Sequence, residues 1–548
     1  MNSPHAKNFV TTALLLLSSA CMAASNDGLI GHWKLAGDCK DASGNGHHGV
    51  NHGAELTADG AVFDGIKDYI QVPDSKSLRL GTKEFSVAVW VHTKNELDDV
   101  LGDILSKYDP ATRNGLTLCI QNFHGVTTTQ SNHRNVLFGI DAGRIDPKWT
   151  ACGRPGNNLM VWALCVYDGR LYAGTFEAGA GTAGHVYRYE GGTKWTDLGK
   201  PGPANAVSAL AVHDGKLYAG NSRYGAWGSA LAESPNQTPG GIIYRFDGPN
   251  KWTDCGRIGE ADAVGGLTVF RGKLYATSMY AAGRGLYRYE GGKSWTFCGN
   301  PDQRVAALGV YNGHIYGTGW DKGQVFRYEG GTNWTNLAGP PETSQVYSFA
   351  IHQGQMYIGT WPGGSVWRLD SPKTWTPCGQ LGDEKEVMGM AVYNSKLYAG
   401  TLPLAQVHRY DGDTAWTLTG RLDHTPDVKY RRAWSMAVYQ GKLFCGTLPS
   451  GTVHCIEAGK CVTYDRALPS GWHHVAAVRA ADRLLLYVDG KRVAASSPFQ
   501  PADYNLANDK PLTIGFGQHD HFNGKLKNLK IYNRSLTEND IRALATNR

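Results

Sequence analysis

Between about residues 150 and 460, apolar and polar positions alternate in short runs separated by polar turns, the pattern of β-hairpins. One recurring hairpin reads apolar-Val-Tyr-x-Gly-Lys-Leu-Tyr-Ala-Gly-Thr, with instances at 165–175, 211–221 and 391–401. A third alternating run follows, such as Val186-Tyr187-Arg188-Tyr189, then the turn Glu190-Gly191-Gly192 and a Trp-Thr pair. The Trp-Thr pairs begin at Trp149, Trp195, Trp252, Trp295, Trp334, Trp375 and Trp416, spaced by 46, 57, 43, 39, 41 and 41 residues. A period near 40–45 residues with four short antiparallel strands per unit predicts the blades of a β-propeller.

The phase of the repeat predicts how the ring closes. No hairpin precedes Trp149, and no Trp-Thr pair follows the last hairpin at 437–447 and its third strand at Val453 to Ile456. A seven-bladed ring results if the Trp149 strand completes the last blade, which also removes two open sheet edges.

The ends of the chain have a different pattern. The first part carries Gly31-His32-Trp33-Lys34-Leu35, the turn Asp41-Ala42-Ser43-Gly44-Asn45-Gly46, Asp68-Tyr69-Ile70-Gln71-Val72 and an apolar strand at 85–92. The last part carries Trp472-His473-His474-Val475, Leu485-Leu486-Tyr487-Val488-Asp489-Gly490 and Ile531-Tyr532-Asn533-Arg534. Read in order, these motifs resemble the laminin-G-like, concanavalin-A-like jelly-roll domain over about 200 residues. The resemblance implies an all-β chain in which a jelly-roll β-sandwich (25–142 and 461–548) is interrupted by the propeller (143–460). The ends of a closed ring lie close enough together to occupy one surface turn. The blades are similar to Kelch-like repeats, although no single family motif fits them.

Composition sharpens the picture. Seventy glycines, 16 tryptophans and 27 tyrosines suit many short strands and tight turns. A net charge of only +6, with no basic run, excludes a nucleic-acid footprint. Residues 1–24 read as a secretory signal peptide, with His5 and Lys7 before an apolar run and small residues after it. Ser18 stands where a lipid-anchoring motif at Cys21 needs a large apolar residue, so a secreted or periplasmic location without a lipid anchor is expected. No other segment is long and apolar enough to span a bilayer as a helix. Cys152, Cys255, Cys298 and Cys378 recur at a site occupied elsewhere by Leu198 and Leu337, the behaviour of packed thiols. Cys165 and Cys445 stand at apolar hairpin positions and read the same way. Cys39, Cys119, Cys455 and Cys461 are the disulfide candidates, with pairing open.

Three candidate chemistries follow. The jelly-roll resemblance implies a structural calcium, the only cofactor expected, held by Asp41 and a residue near the last strand. Asn528 stands there in place of the family's acid, and the alternative is a turn in which Asp41 accepts backbone N–H groups. Paired histidines at 47–48 and 473–474, and His519 with His521, suggest zinc, but neighbours on a strand face opposite ways. No catalytic triad or phosphate loop is present, and the Glu190-Gly191-Gly192 turn only loosely resembles the aspartate-box turn of sialidases.

The third is a ligand face. Just before each innermost strand one position varies widely: Trp162, Ser208, Gly265, Ala306, Tyr347, Met388 and Trp434. The loops that gather at the same end add Arg223, Tyr224, Trp227, Arg304, Trp320, Trp361 and Arg431. Aromatic rings beside arginines suit a sugar, with rings on its C–H face and polar groups on its hydroxyls. The expected ligand-binding set is therefore Trp162, Arg223, Tyr224, Trp227, Arg304, Trp320, Tyr347, Trp361, Arg431 and Trp434, with Trp162, Tyr347 and Trp434 at the mouth of the channel. The sequence favours a non-catalytic secreted glycan-binding protein, over a polysaccharide hydrolase or lyase acting on the propeller and over an adhesion scaffold.

Overall fold

The protein is described here by a computed structural model that covers residues 26–122, 129–144, 147–177, 179 and 181–547. The expected signal peptide lies outside the described residues. The chain is all-β, with a concanavalin-like sandwich and a propeller-like ring.

The sandwich draws on both ends of the chain. One sheet runs Glu55–Thr57, Gly60–Asp64, Asn523–Tyr532, Phe85–Thr93, Gly471–Arg479, Leu484–Val488 and Lys491–Ala495, with Leu29–Trp33 also paired to Asn523–Tyr532. The other runs Val50–His52, Tyr69–Val72, Leu512–Ile514, Gly102–Asp109, Asn114–Gln121, Asn135–Ala142 and Lys460–Tyr464. Asn135–Ala142 and Lys460–Tyr464 pair antiparallel, with Phe138 opposite Val462, although more than 300 residues separate them in sequence. Trp33, Phe63, Phe85, Leu105, Phe138, Val475 and Leu486 fill the space between the sheets, the inward half of each alternating strand.

In the ring, the innermost strands touch in chain order: Met160–Tyr167, Ala206–His213, Val264–Phe270, Val305–Tyr311, Gln345–His352, Glu386–Tyr393 and Arg432–Tyr439, the last returning to the first. The sheets built on them are not seven separate blades. Five four-stranded sheets stand alone, and the strands from Met160–Tyr167 to Lys251–Arg257 form one eight-stranded sheet. The physical reason is local: Phe176 pairs with Ala206 and carries the hydrogen bonding from one unit into the next. Thr150–Ala151 joins the last sheet, with Thr150 opposite Cys455 and Ala151 opposite His454.

The repeated residues hold this frame. Each Trp-Thr tryptophan from the second onward donates its indole N–H to a carbonyl of the preceding unit. Trp195 reaches Cys152 O (2.9 Å), Trp252 Leu198 O (3.1 Å), Trp295 Cys255 O (2.8 Å) and Trp416 Cys378 O (2.7 Å). Glu190, in the turn compared with the aspartate box, pairs with Arg188 at 2.7 Å, as Glu290 does with Arg288 and Glu329 with Arg327. That turn is a repeated surface ion pair.

All ten described cysteines are free, so the expected disulfide among Cys39, Cys119, Cys455 and Cys461 is not formed. Cys119, Cys455 and Cys461 are buried as apolar packing, and the Cys39 thiol donates to Gly49 O at 3.0 Å.

Candidate functional site

The two ends of the ring are built differently. At one end lie the hairpin turns Asp168-Gly169, Asp214-Gly215, Arg271-Gly272, Asn312-Gly313, Gln353-Gly354, Asn394-Ser395 and Gln440-Gly441. Both residues of each turn have positive φ, the conformation a two-residue hairpin needs to follow the strand twist. Most of these turns bond to the sandwich. Arg271 N donates to Leu97 O (2.7 Å), Asn312 N to Asp99 Oδ1 (3.0 Å) and Gln353 N to Gln518 O (3.2 Å), while Asn394 Nδ2 donates to Ile140 O (3.2 Å). Lys396 forms a buried ion pair with Asp141. One face of the second sandwich sheet is thus covered, with Cys119 and Leu137 packed against Tyr393 and Tyr398.

At the opposite end each innermost strand begins, and there each slips register. The slips fall between Val161 and Ala163, Val207 and Ala209, Val264 and Leu267, Val305 and Leu308, Val346 and Ser348, Val387 and Met390, and Ala433 and Ser435. The variable position falls inside every slip. A bulged residue is released from the ladder, so its side chain is free to differ from unit to unit and is re-aimed.

Three of these side chains, those of Trp162, Tyr347 and Trp434, line a cavity of about 310 Å³ together with the loops around them. Eight of the ten expected ligand residues line it: Trp162, Tyr224, Trp227, Arg304, Trp320, Tyr347, Trp361 and Trp434. Arg223 and Arg431 do not. Arg223 turns to Asp262 (2.7 Å), and Arg431 donates from Nε to Thr425 O (2.6 Å). The mouth position also needs correcting. Trp162 (1% exposed) and Trp434 (4%) are buried walls rather than rim residues, packed edge-on at 5.8 Å between ring centres. Trp162 also meets Tyr224 edge-on at 4.5 Å, and Trp320 and Tyr347 lie 4.9 Å apart. The rim residue is Trp227, 75% exposed on the short 3₁₀ turn Ala226–Ser229 of the long 222–240 loop.

Among the lining residues outside the expected set are Glu386 and Gln345, and Arg432 lines the cavity in place of Arg431. Each stands two positions before a variable residue: Arg432 before Trp434, Glu386 before Met388 and Gln345 before Tyr347. The two-residue period of a strand was the signal that could have found them.

Glu386 is buried and interacts through hydrogen bonding with Tyr347. Burial pushes its carboxyl up to about 7, against the opposing pull of the Arg432 charge and of the Tyr347 bond. Arg304 is neutralised at the rim by Asp321, with Nε to Oδ1 at 2.8 Å, and lies 5.6 Å from the Trp320 ring centre.

The expected calcium pair does not fit a cation. The Asp41 carboxylate accepts N–H from His32 (2.9 Å), Ser43 (2.8 Å) and His47 (3.0 Å) and O–H from Ser43 (2.8 Å), while Asn528 bonds the His32 ring. Burial works against ionisation of Asp41, but those bonds prevail and hold its pKa below the usual carboxylate value. Four donors converging on one carboxylate stabilise an anion within a turn.

Among solved structures, the chain is similar to a virginiamycin B lyase from Staphylococcus aureus, at 12% identity and a TM-score of 0.44, covering 57% of this chain and 99% of that one. It is also similar to the WD40 β-propeller domain of Doa1, at 11% identity and a TM-score of 0.40, covering 56% and 96%. A puromycin hydrolase follows at 12% identity and a TM-score of 0.36, covering 64% and 55%. A search of curated proteins found no match. Residues 440–542, which span the later strands of the sandwich and the end of the ring, match the Laminin_G_3 family model, described as the concanavalin A-like lectin/glucanases superfamily.

Proposed function

We propose that this is an extracellular protein that binds carbohydrate in the aromatic cavity at the open end of the ring. The carrying observation is the cavity itself: Trp162, Tyr224, Trp320, Tyr347, Trp361 and Trp434 wall one space of about 310 Å³, with Trp227 exposed at its lip. Rings in this arrangement suit the C–H faces of a sugar, and Gln345, Glu386, Arg304 and Arg432 supply polar contacts for its hydroxyls. Binding is favoured over hydrolysis because, among the described residues, Glu386 is the only carboxylic acid lining the cavity, whereas glycoside hydrolysis ordinarily uses two.

In this reading the boundaries 25–142, 143–460 and 461–548 separate sandwich, ring and sandwich. The eight-stranded sheet counts as two four-stranded units, giving a ring of seven. The test is a glycan-array screen of the purified protein with hydrolysis assays in parallel. The proposal predicts saturable glycan binding without turnover. Release of reducing ends would favour the hydrolase, and silence on the whole array would refute the glycan reading.

A further inference from the structure

Arg432 opens the innermost strand Arg432–Tyr439 and is only 6% exposed. Its partners are all neutral. Nη1 donates to Ser229 Oγ and, at 3.5 Å, to Tyr224 Oη; Nη2 donates to Gly228 O at 3.3 Å. The guanidinium also lies against the Trp434 and Tyr430 rings, 5.5 and 5.8 Å from their centres. Nε has no hydrogen-bond partner among the described residues. Among the described residues no carboxylate sits within ion-pair distance of Arg432, whereas Arg304 on the same cavity has Asp321 at 2.8 Å.

A buried guanidinium without an anion in contact is costly, and buried charges are ordinarily paired. Glu386 interacts with Arg432 through space, but burial keeps its carboxyl protonated up to about 7, so it offers only part of a counter-charge. Its Oε1 also lacks a partner. The cavity therefore combines flat aromatic walls, a cation short of one anionic contact and an acid able to share a proton with a ligand oxygen.

We propose that the ligand is an acidic sugar whose carboxylate pairs with the Arg432 guanidinium, a planar match that lysine cannot copy in geometry but can copy in charge. This rests on the carbohydrate reading above and narrows it to uronic-acid-type glycans. Trp227 and Trp361 flank the sugar ring, and Arg432 fixes its charged end.

The experiment compares uronic-acid oligosaccharides (oligogalacturonate and alginate fragments) with their carboxyl-reduced, neutral counterparts by calorimetry at low and high salt. The acidic member of a pair should bind at least about tenfold tighter, and the difference should shrink as salt rises. In Arg432→Gln the preference should fall to within about threefold, and Arg432→Lys should keep most of it. If Arg432→Gln does not fold, the wild-type ratio and Arg432→Lys decide the matter. Equal or tighter binding of the neutral forms overturns the acidic-sugar proposal while sparing the carbohydrate reading. Binding of neither form here, together with silence on the glycan array, overturns both.

Discussion

The two ends of the ring are made by the same repeat and do opposite things. At the hairpin end, turn after turn adopts one backbone conformation, and most bond to the sandwich through main-chain groups such as Arg271 N to Leu97 O and Asn312 N to Asp99. At the open end the register slips place Trp162, Tyr347 and Trp434 around a cavity and leave Ser208, Gly265 and Ala306 small at the equivalent positions. Uniform backbone bonding requires little of the side chains, so it suits a fixed joint. A bulge frees one side chain per unit, so it suits a surface that must discriminate. On the function proposed above, the docked end serves stability and the open end serves recognition.

The largest effect that would sharpen this contrast lies at the joint. Replacing Lys396 with Met leaves Asp141 buried without its partner, and losing one member of a buried ion pair costs about 3–5 kcal/mol. Denaturant unfolding should show that loss, with glycan affinity per folded molecule unchanged. A changed affinity would mean that the two ends are coupled.

Trp434→Ala falls on both sides of the line. As a buried wall its removal should cost about 3–5 kcal/mol, and it should also weaken binding. Stability loss with intact affinity would make it a plug and nothing more.

A smaller effect concerns pH. The carboxyls of Asp99 (about 8), Asp103 (about 7) and Asp465 (about 7), near the docked end, are raised first by burial. Groups raised on folding stabilise the protein at low pH, and that contribution is lost as pH climbs through the folded values. Buried His352 (about 4) and His519 (about 3), lowered first by burial, act the other way, but only below the ordinary histidine value of 6.5. Above pH 6.5 these histidines no longer oppose the carboxyls, and Glu386 (about 7), also raised first by burial, adds to the same slope, so the melting temperature should fall between pH 6.5 and 8. Asp99→Asn, which keeps an oxygen for the Asn312 and Val100 N–H groups, should flatten part of that slope. A slope unchanged by the substitution would place the titration elsewhere.

A modest stability change is expected at the latches between units. Trp295→Phe removes the bond to Cys255 O and should cost about 1 kcal/mol in chemical denaturation. A cost below about 0.3 kcal/mol would show that packing alone holds adjacent units together.

Much of this was legible in the chain because the repeat separates frame from variation. The Trp-Thr pairs are latches, the third-position cysteines are packing, and three of the seven variable positions, Trp162, Tyr347 and Trp434, line the cavity. Where the reading failed, the cause was three-dimensional. Phe176 pairing with Ala206 merges two sheets, which no periodicity announces. Trp434 was placed at the rim because its variability was visible and its depth was not. Arg431 was expected where Arg432 stands, although the two-residue spacing from Trp434 marked Arg432; pairing of the strand with Lys442–Leu448 is what brings Arg432 to the cavity. At Asp41 the donors that fill the carboxylate are three main-chain N–H groups and the Ser43 hydroxyl, and main-chain donors, which every residue but proline has, leave no mark on the sequence.

The most direct test of the central claim is Trp227→Ala, measured for melting temperature and for glycan affinity in the same preparations. Trp227 is 75% exposed, so its side chain adds little to the folded core, yet it stands at the lip of the cavity. The account predicts an unchanged melting temperature and an affinity lower by about tenfold or more, the scale of an exposed aromatic anchor at a binding surface. Unchanged affinity for a glycan that the wild-type protein binds would contradict it and move the ligand away from the open end of the ring.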